Sequence, residues 1–176
     1  MKKYSNQICG EIPILSQAMV QIFWEEIRKA LPDIVKEINA ESFLDVPCGD
    51  FFWMQHVDLP VKKYLGADIV REIVAKNNQR FKNEKREFIF LDITKDDLPK
   101  VDVIFCRDCL PHLDFSLIRK AIKQLQKSGS KYLITSTYIL TEKNIDKPLG
   151  IFRPLNFQLP PFKFPQTLRL LSDKYI

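Results

Sequence analysis

The segment of residues 42–50 places the strongest constraint on what this chain can fold into. It reads Ser-Phe-Leu-Asp-Val-Pro-Cys-Gly-Asp, an apolar run that leads into a tight turn at Gly49. A second apolar run follows and ends in an acid, Asp68. A strand, a glycine turn, a helix and a carboxylate at the end of the next strand is how open α/β sheets hold an adenosine-bearing ligand.

The glycine turn also indicates which adenosine-bearing ligand fits. A dinucleotide fingerprint uses three glycines, which let the backbone approach a pyrophosphate and pack the helix closely. This turn has only Gly49, with Pro47 before it and bulky Phe51 after it, and Asp50 would repel a pyrophosphate. S-adenosylmethionine carries a sulfonium cation and no phosphate, so the acidic, glycine-poor turn favours S-adenosylmethionine over NAD or FAD.

Apolar runs of strand length alternate with helical patterns along the chain. This alternation predicts an α/β fold, a Rossmann-like, doubly wound and mostly parallel sheet with N-terminal helices and a C-terminal lid rich in proline and aromatic residues. The length predicts a single domain, 1–176, with a helical cap at 1–40, a cofactor-binding core at 41–138 and a lid or substrate segment at 139–176.

The predicted strands are residues 41–46, 63–68, 88–92, 101–106 and 131–138. The predicted helices cover residues 12–30, a short stretch that starts at Pro32, residues 50–57, a stretch after Asp68 that buries Ile69, Val70, Ile73 and Val74, and a stretch capped by Asp114 that ends at Ser128 and Gly129. Ligands of such sheets bind beyond the carboxyl ends of the strands, and Gly49, Asp68, Asp92 and Arg107 all fall at or just past predicted strand ends.

Taken together, these motifs resemble those of class I S-adenosylmethionine-dependent methyltransferases. Residues 45–50 resemble the first motif of that family, and Asp68 matches its ribose-binding acid. Residues 91–93 match the segment that borders the adenine, and residues 103–113 resemble the fourth-strand motif and the start of the next helix. The resemblance covers residues 41–138 in order and spacing, and its main departure is the missing outer glycines of the turn.

A narrower resemblance involves three segments, residues 45–53, 106–113 and 153–162. They are similar to a group of small bacterial methyltransferases, some of which are associated with surface-polysaccharide biosynthesis. The resemblance implies S-adenosyl-L-methionine as the cofactor. The predicted cofactor-binding residues are Asp45, Pro47, Cys48, Gly49, Asp68, Ile69, Asp92, Ile93, Cys106 and Arg107.

Several of these residues have a structural alternative. Asp68 either binds the ribose or caps the helix that follows, and the two roles are compatible. Asp45 either stabilises the turn or faces the amino group of the methionine moiety. Asp92 either accepts a hydrogen bond from the adenine amino group, with Ile69 and Ile93 on either side of the ring, or belongs to a strand-end turn.

The predicted catalytic residues are His112 and Asp108, which lie four positions apart after the fourth strand. Methyl transfer to an alcohol requires a group that accepts the proton of the hydroxyl, and a neutral imidazole does this near pH 7. A structural histidine is the alternative for His112. Arg107 either binds a substrate anion or forms a salt bridge with Asp108.

The C-terminal segment contains Arg153 and Asn156 within an otherwise apolar run, and both are predicted to bind the acceptor. Arg153 suits a phosphate or carboxylate group. The alternative is a structural segment whose polar side chains satisfy its own backbone. The run rich in proline and aromatic residues at 151–165 is predicted as an ordered lid or an interface segment, because such a sequence forms neither a helix nor a central strand.

Composition narrows the class of partner. The net charge of +5 comes from scattered basic residues without interleaved aromatics, which disfavours nucleic acid as the substrate. The pair Cys106 and Cys109 has the spacing of half a zinc site, but the only histidines are His56 and His112, so no metal is predicted. No apolar run has the length of a membrane span. We therefore expect a cytoplasmic protein, and a homo-oligomer is compatible with the sequence.

The sequence therefore predicts methyl transfer from S-adenosylmethionine to a small polar acceptor. The leading hypothesis is O-methylation of a sugar, or of a nucleotide-linked sugar, in surface-glycan biosynthesis. A methyltransferase-like binding or scaffold subunit without activity is the first alternative, and a nucleic-acid methyltransferase is the second.

Overall fold

A parallel sheet of five strands forms the centre of the protein. The computed structural model describes the backbone of residues 14–170 and the side chains of residues 26–170, so the predictions for residues 1–13 and 171–176 lie outside it. The strand order is β3-β2-β1-β4-β5, and every neighbouring pair is parallel, which confirms the predicted α/β fold. The strands are β1 (Ser42–Asp45), β2 (Lys63–Asp68), β3 (Arg86–Phe90), β4 (Val103–Cys106) and β5 (Tyr132–Thr135).

Within the described range, the two faces of this sheet are covered by α1 (Ile14–Glu37), α2 (Arg71–Phe81) and α3 (Phe115–Lys127). Alternate side chains of β1 point to opposite faces. Phe43 therefore packs with the buried residues of α1 and α2, whereas Leu44 packs with Ile118 of α3. The two apolar cores explain why the central strands are almost continuously hydrophobic.

The prediction that Pro32 begins a second helix is wrong, because α1 continues through Pro32 as far as Glu37. Proline inside a helix removes one backbone hydrogen bond. Leu31 and Val35, on either side of it, are fully buried in the core beneath the sheet. Burial of these two side chains offsets the lost hydrogen bond and keeps the helix continuous.

The helix predicted at residues 50–57 is also wrong, since this stretch contains only a short 3-10 turn at Met54–His56. Phe51 has a φ of 60°, a left-handed conformation that interrupts a helix. Its buried ring packs edge-on against Tyr64 and Phe88. Aromatic packing at Phe51 therefore sets the path of the chain after the first strand.

Several boundaries also differ from prediction, since β4 begins at Val103 rather than residue 101 and β5 ends at Thr135 rather than residue 138. Helix α2 begins at Arg71, so Ile69 and Val70 lie in the connection before it and are exposed, contrary to their predicted burial. Val74 is buried as predicted. Strand β3 ends at Phe90, which leaves residues 91 and 92 in the loop beyond the sheet. Helix α3 agrees with prediction, because Asp114 accepts a hydrogen bond from the Leu117 amide and the left-handed Gly129 follows the helix.

The described residues that follow β5 contain no helix or strand. They are nevertheless anchored, since Leu155 and Phe157 are buried in the same core as α3. Asn144 binds this segment together, because its Nδ2 donates to the carbonyls of Asn156 and Pro160 and its Oδ1 accepts from the Asn156 amide. The described part of this segment is therefore anchored in the core, and its role as a lid remains a prediction.

Asp102 ties together the amino ends of three strands. Its Oδ2 accepts hydrogen bonds from the Ser42 amide (3.0 Å), the Ser42 hydroxyl (2.7 Å) and the Glu41 amide (3.0 Å), and its Oδ1 lies 3.2 Å from Lys131 Nζ. The hydrogen bond from Ser42, followed by those from the Glu41 amide and Lys131, lowers the pKa of Asp102 to about 2. Ionised Asp102 therefore stabilises the start of β1 and β5 against β4.

We predict that Asp102→Asn lowers the free energy of unfolding at neutral pH by about 2 kcal/mol, because hydrogen bonds to a charged acceptor are weakened. A lowered folded-state pKa gives stability that is present above the unfolded value of 3.8 and is lost as the pH falls through about 2. Urea unfolding should therefore show the difference from wild type shrinking at acidic pH. The exposed residue Asp58 offers the control Asp58→Asn, and an equal effect of the two variants would contradict the role of Asp102.

Candidate functional site

The glycine turn, residues 46–50, connects the carboxyl ends of three strands. The Val46 amide donates to the Phe105 carbonyl of β4, and the Cys48 amide donates to the Ala67 carbonyl of β2. The peptide bond between Val46 and Pro47 is cis. Gly49 has a φ of +54°, a left-handed conformation that favours glycine at this position. The turn is thus held over the edge of the sheet where ligands of parallel α/β folds bind.

Asp68 links this turn to the end of β2. Its Oδ2 accepts a hydrogen bond from the Gly49 amide at 3.1 Å, and its Oδ1 accepts from the Val70 amide at 2.9 Å. The structure therefore brings Gly49 and Asp68 together, and Asp68 also organises the entry to α2. Each carboxylate oxygen has two acceptor positions, so Asp68 retains capacity for a further donor.

Asn77 is a member of the site that the sequence analysis did not identify. It is buried on α2, and its Nδ2 donates to the Gly49 carbonyl at 2.8 Å and lies 3.8 Å from the sulfur of Cys48. The signal in the sequence was a polar residue three positions after Val74, on the buried face of the helix. Asn77 therefore holds the carbonyl of Gly49, while Asp68 holds its amide.

Asp45 is buried beneath the turn and is only 3% exposed. Its Oδ2 accepts a hydrogen bond from the Tyr64 hydroxyl at 2.5 Å. Burial raises the pKa of Asp45 to about 7, and the nearby charge of Asp68 adds to the rise, while the hydrogen bond from Tyr64 and the charge of Arg107 oppose it. Asp45 stabilises the turn region through Tyr64, and it remains poised to ionise if a cation approaches.

An apolar rim, formed by Ile69, Val70 and Phe90, lies next to Asp68. Ile69 is 56% exposed and Phe90 is 38% exposed, although both are large hydrophobic residues. Phe90 pairs with Asp68 in the sheet, and the guanidinium of Arg71 lies 3.7 Å from the centre of its ring. Exposed apolar groups beside a carboxylate are suited to a ligand with a flat ring and hydroxyl groups.

The loop after β3 holds Asp92 in a turn of its own. Its Oδ1 accepts from the amide and the hydroxyl of Thr94, and its Oδ2 lies 3.0 Å from Lys95 Nζ. Burial alone would raise the pKa of Asp92, but these hydrogen bonds outweigh it and the pKa is lowered. Ile93 is buried in the core beside α3. This geometry matches the strand-end turn, and contact of Asp92 or Ile93 with an adenine remains a prediction.

The loop after β4 carries Arg107 and Asp108. Cys106 is fully buried, and the Arg107 guanidinium lies 3.3 Å from Oδ2 of Asp108. Asp108 has a φ of 52°, and Ser136 both donates to its Oδ1 and accepts from its amide, each at 2.9 Å. Asp108 is therefore fixed in position by a guanidinium and a hydroxyl.

His112 lies in the 3-10 turn Leu110–His112 and is half-buried. Its ring packs against Phe152, with 5.5 Å between the ring centres. Burial lowers the pKa of His112, the charge of Asp108 opposes this effect, and Arg153 adds to it. The imidazole is consequently neutral near pH 7, which is the form that accepts a proton.

Arg153 and Asn156, the predicted acceptor-binding residues, are both buried. Asn156 Nδ2 donates to the carbonyls of Ile139 and Thr141, and its Oδ1 accepts from the Gln158 amide. Asn156 thus satisfies the backbone of its own segment, as the structural alternative proposed. The Arg153 amide donates to the Pro111 carbonyl, which places Arg153 beside the His112 turn.

Two groups of residues result at this edge of the sheet. The first joins the glycine turn, Asp45 and Asp68, and the second is centred on His112, whose pKa responds to the charges of Asp108 and Arg153. Arg107, which acts on Asp45 and contacts Asp108, connects the two groups. Among the described residues, no cluster of histidine, cysteine, aspartate and glutamate suits a metal ion, and no helix within the described range is long and apolar enough to cross a membrane.

Comparison with known proteins gives a match at the level of structure only. No family model matches the chain, and no curated protein matches it. The methyltransferase domain of bacterial CtHen1 superposes with a TM-score of 0.55 at 14% identity, over 65% of this chain and 66% of that chain.

Two further solved structures share the fold. An S-adenosylmethionine-dependent methyltransferase from Clostridium acetobutylicum ATCC 824 gives a TM-score of 0.52 at 18% identity, over 64% of this chain and 46% of the other. CalS10 from Micromonospora echinaspora, an amino pentose methyltransferase solved with bound S-adenosylmethionine, gives 0.58 at 17% identity, over 78% and 61%. This chain matches less than two thirds of the length of each, and the likeness establishes a methyltransferase-type Rossmann-like fold.

We predict that Asp45→Asn removes a pH dependence of stability. The folded-state pKa of Asp45 is raised to about 7, so the stabilisation it gives is fully present below 3.8 and is lost as the pH rises through about 7. Wild type should therefore lose up to about 1.4 kcal/mol of unfolding free energy per pH unit within that range. Asparagine still accepts the Tyr64 hydroxyl but does not ionise.

Urea unfolding of wild type and Asp45→Asn at several pH values between about 5 and 8 measures this difference directly. The curve of the variant should be flatter, and the variant should be the more stable protein at the alkaline end. Asp50→Asn, an exposed change in the same turn, serves as the control. Parallel curves for wild type and Asp45→Asn would contradict a proton on Asp45 in the folded protein.

Proposed function

We propose that this protein binds S-adenosylmethionine and transfers its methyl group to a small polar acceptor. The observation that carries the proposal is the hydrogen bond between the Gly49 amide and Asp68, which places a turn without dinucleotide-type glycines beside a buried carboxylate and an exposed apolar rim. The structures of similar fold support it, because they include methyltransferases described as dependent on, or bound to, S-adenosylmethionine.

The residues around the turn fit the chemical groups of this cofactor. The remaining acceptor capacity of Asp68 suits the ribose hydroxyls, and the apolar rim of Ile69 and Phe90 suits the adenine. Asp45, with its raised pKa, would ionise when the ammonium group of the methionine moiety approaches, since an opposite charge favours the ionised form. Phe51 fills the space behind the turn, where a pyrophosphate-binding fold keeps small residues.

When bound, S-adenosylmethionine supplies a methyl group on a positively charged sulfur, which is an excellent leaving group. The remaining task of this chain is to orient an acceptor hydroxyl and to take its proton. Neutral His112 can hold that proton on its imidazole, and the charge of Asp108 favours the protonated imidazole that results. Arg107 holds Asp108 in place through their ion pair.

The acceptor that we propose is a hydroxyl of a sugar or nucleotide-linked sugar, in surface-glycan biosynthesis. The similarity of residues 45–53, 106–113 and 153–162 to a group of small bacterial methyltransferases supports this class of acceptor. The fold shared with CalS10, described as an amino pentose methyltransferase, is consistent with it.

Calorimetric titration with S-adenosylhomocysteine tests the cofactor site. Wild type should bind, and Asp68→Ala should weaken binding by about 1.5–3 kcal/mol because charge-assisted hydrogen bonds to the ribose are lost. The exposed residue Asp58 provides the matched control Asp58→Ala. Since Asp68 also holds the turn, circular dichroism must show that the variant is folded.

Unchanged affinity in folded Asp68→Ala would remove this residue from the binding site. Absence of binding to wild type would overturn the proposed function as a whole. Binding without formation of S-adenosylhomocysteine over a broad panel of sugars and nucleotide sugars would instead favour a binding or scaffold subunit.

The role of His112 has its own signature in the pH dependence of the reaction. Because the pKa of His112 is lowered from 6.5, kcat at saturating S-adenosylmethionine, where Asp45 is already ionised, should rise with pH along an acid limb whose midpoint lies below 6.5. His112→Gln should lose about 10²–10⁴-fold in rate and should lose that limb. Release of S-adenosylhomocysteine is the measurement, and an acid limb that persists in His112→Gln would exclude His112 as the proton acceptor.

A further inference from the structure

The guanidinium of Arg153 has an unusual environment. Arg153 is only 2% exposed, which makes it one of the most deeply buried side chains among the described residues. Nη1 donates to the Ile151 carbonyl at 3.2 Å, but neither Nε nor Nη2 has a hydrogen-bond partner. A buried donor without a partner is costly, and more so when it carries charge, so proteins keep such a group where a ligand satisfies it.

The two unsatisfied nitrogens lie on one edge of the guanidinium. Nε–H and Nη2–H point in the same direction, and together they form a fork that matches two oxygens of a carboxylate or a phosphate. The hydrogen bond from the guanidinium to the Ile151 carbonyl uses Nη1, the other terminal nitrogen. The free edge is therefore the part of the side chain best suited to an oxyanion.

The nearest carboxylate does not fill this role. Asp146 Oδ1 lies 3.7 Å from Nη2 of Arg153, beyond hydrogen-bond distance. The same oxygen accepts from the Phe115 amide and the Lys147 amide, each at 2.9 Å, so it is committed to the start of α3. Asp146 offsets part of the charge of Arg153 but leaves the forked edge without a hydrogen-bond partner.

The position of Arg153 relates this edge to the candidate reaction site. Its amide donates to the Pro111 carbonyl, and the amide of Gly150 donates to the His112 carbonyl at 2.7 Å. Phe152 packs on the ring of His112 and is 47% exposed, so the backbone that carries Arg153 runs along the surface beside the imidazole. An anion bound to Arg153 would therefore be held by the segment that packs on His112, and the charge of Arg153 itself acts on that imidazole.

We propose that Arg153 is the binding group for an oxyanion, a phosphate or a carboxylate, carried by the methyl acceptor. The substrate class is then an acidic or phosphorylated sugar derivative rather than a neutral sugar. This inference rests on the proposed function only in assigning the anion to the acceptor. The binding of an oxyanion at Arg153 needs no cofactor and is testable without one.

The test is a nuclear magnetic resonance titration of protein labelled with ¹⁵N at arginine, in the absence of S-adenosylmethionine. The Nε–H signal of Arg153 is assigned by its loss in Arg153→Lys, or by through-bond correlation to its own backbone in wild type if that variant does not fold. Inorganic phosphate and acetate are the two probes, each titrated against chloride at constant ionic strength.

We expect a saturable shift of the Arg153 Nε–H signal at anion concentrations that leave the signal of the exposed Arg119 unchanged. A response to phosphate alone assigns a phosphorylated acceptor, and a response to acetate alone assigns a carboxylate. A parallel thermal-unfolding series should show that phosphate or acetate stabilises wild type and Arg119→Lys but not folded Arg153→Lys.

Equal responses of Arg153 and Arg119, or no response of Arg153 to either anion, would overturn the inference. Failure of the proposed function gives a different result. In that case S-adenosylhomocysteine does not bind in calorimetry, whereas the oxyanion titration of Arg153 is unaffected.

Discussion

The hydrogen bond from the Gly49 amide to the carboxylate of Asp68 is the contact on which the candidate site depends. It joins the turn after the central strand to the end of the neighbouring strand, and Asn77 secures the opposite side of the same turn from α2. The turn after β1, the end of β2 and helix α2 are thus joined through Gly49 and Asp68. A ligand that lies against the turn and the carboxylate contacts parts of the fold that are already fixed relative to one another, so little ordering remains to oppose binding.

Burial and local partners give the acids of this edge distinct properties. Asp45 has a raised pKa because its burial outweighs the hydrogen bond from Tyr64, whereas Asp92 has a lowered pKa because the donors of its own turn outweigh its burial. Asp108 is held by Arg107 and Ser136. Arg153 presents the opposite case, a buried cation whose forked edge has no partner. The same carboxyl group is therefore buried with a raised pKa at Asp45, forms a turn at Asp92 and pairs with a guanidinium at Asp108.

The alternation of apolar strands and helices was sufficient to predict the parallel α/β sheet, since that pattern reflects burial on both faces. The contact between Gly49 and Asp68 was also predictable, because strand ends of a parallel sheet meet at one edge. The errors occurred where packing between distant residues outweighs local preference. Pro32 stays helical because its neighbours are buried, and Phe51 leaves the helical region because its ring fits among aromatics of β2 and β3. Both outcomes depend on packing against residues that are distant in sequence, so the local pattern does not predict them.

The burial of Leu155 and Phe157 among residues of the sheet and α3 has an evolutionary consequence. The segment that we propose to border the acceptor is packed into the interior of the domain, so its sequence is constrained by folding as well as by recognition. Divergence towards a new acceptor would proceed most easily at its surface positions, such as Ile151 and Phe152, while the interior anchors persist. Under this proposal, selectivity would evolve through the exposed side chains of the segment while its buried side chains stay the same.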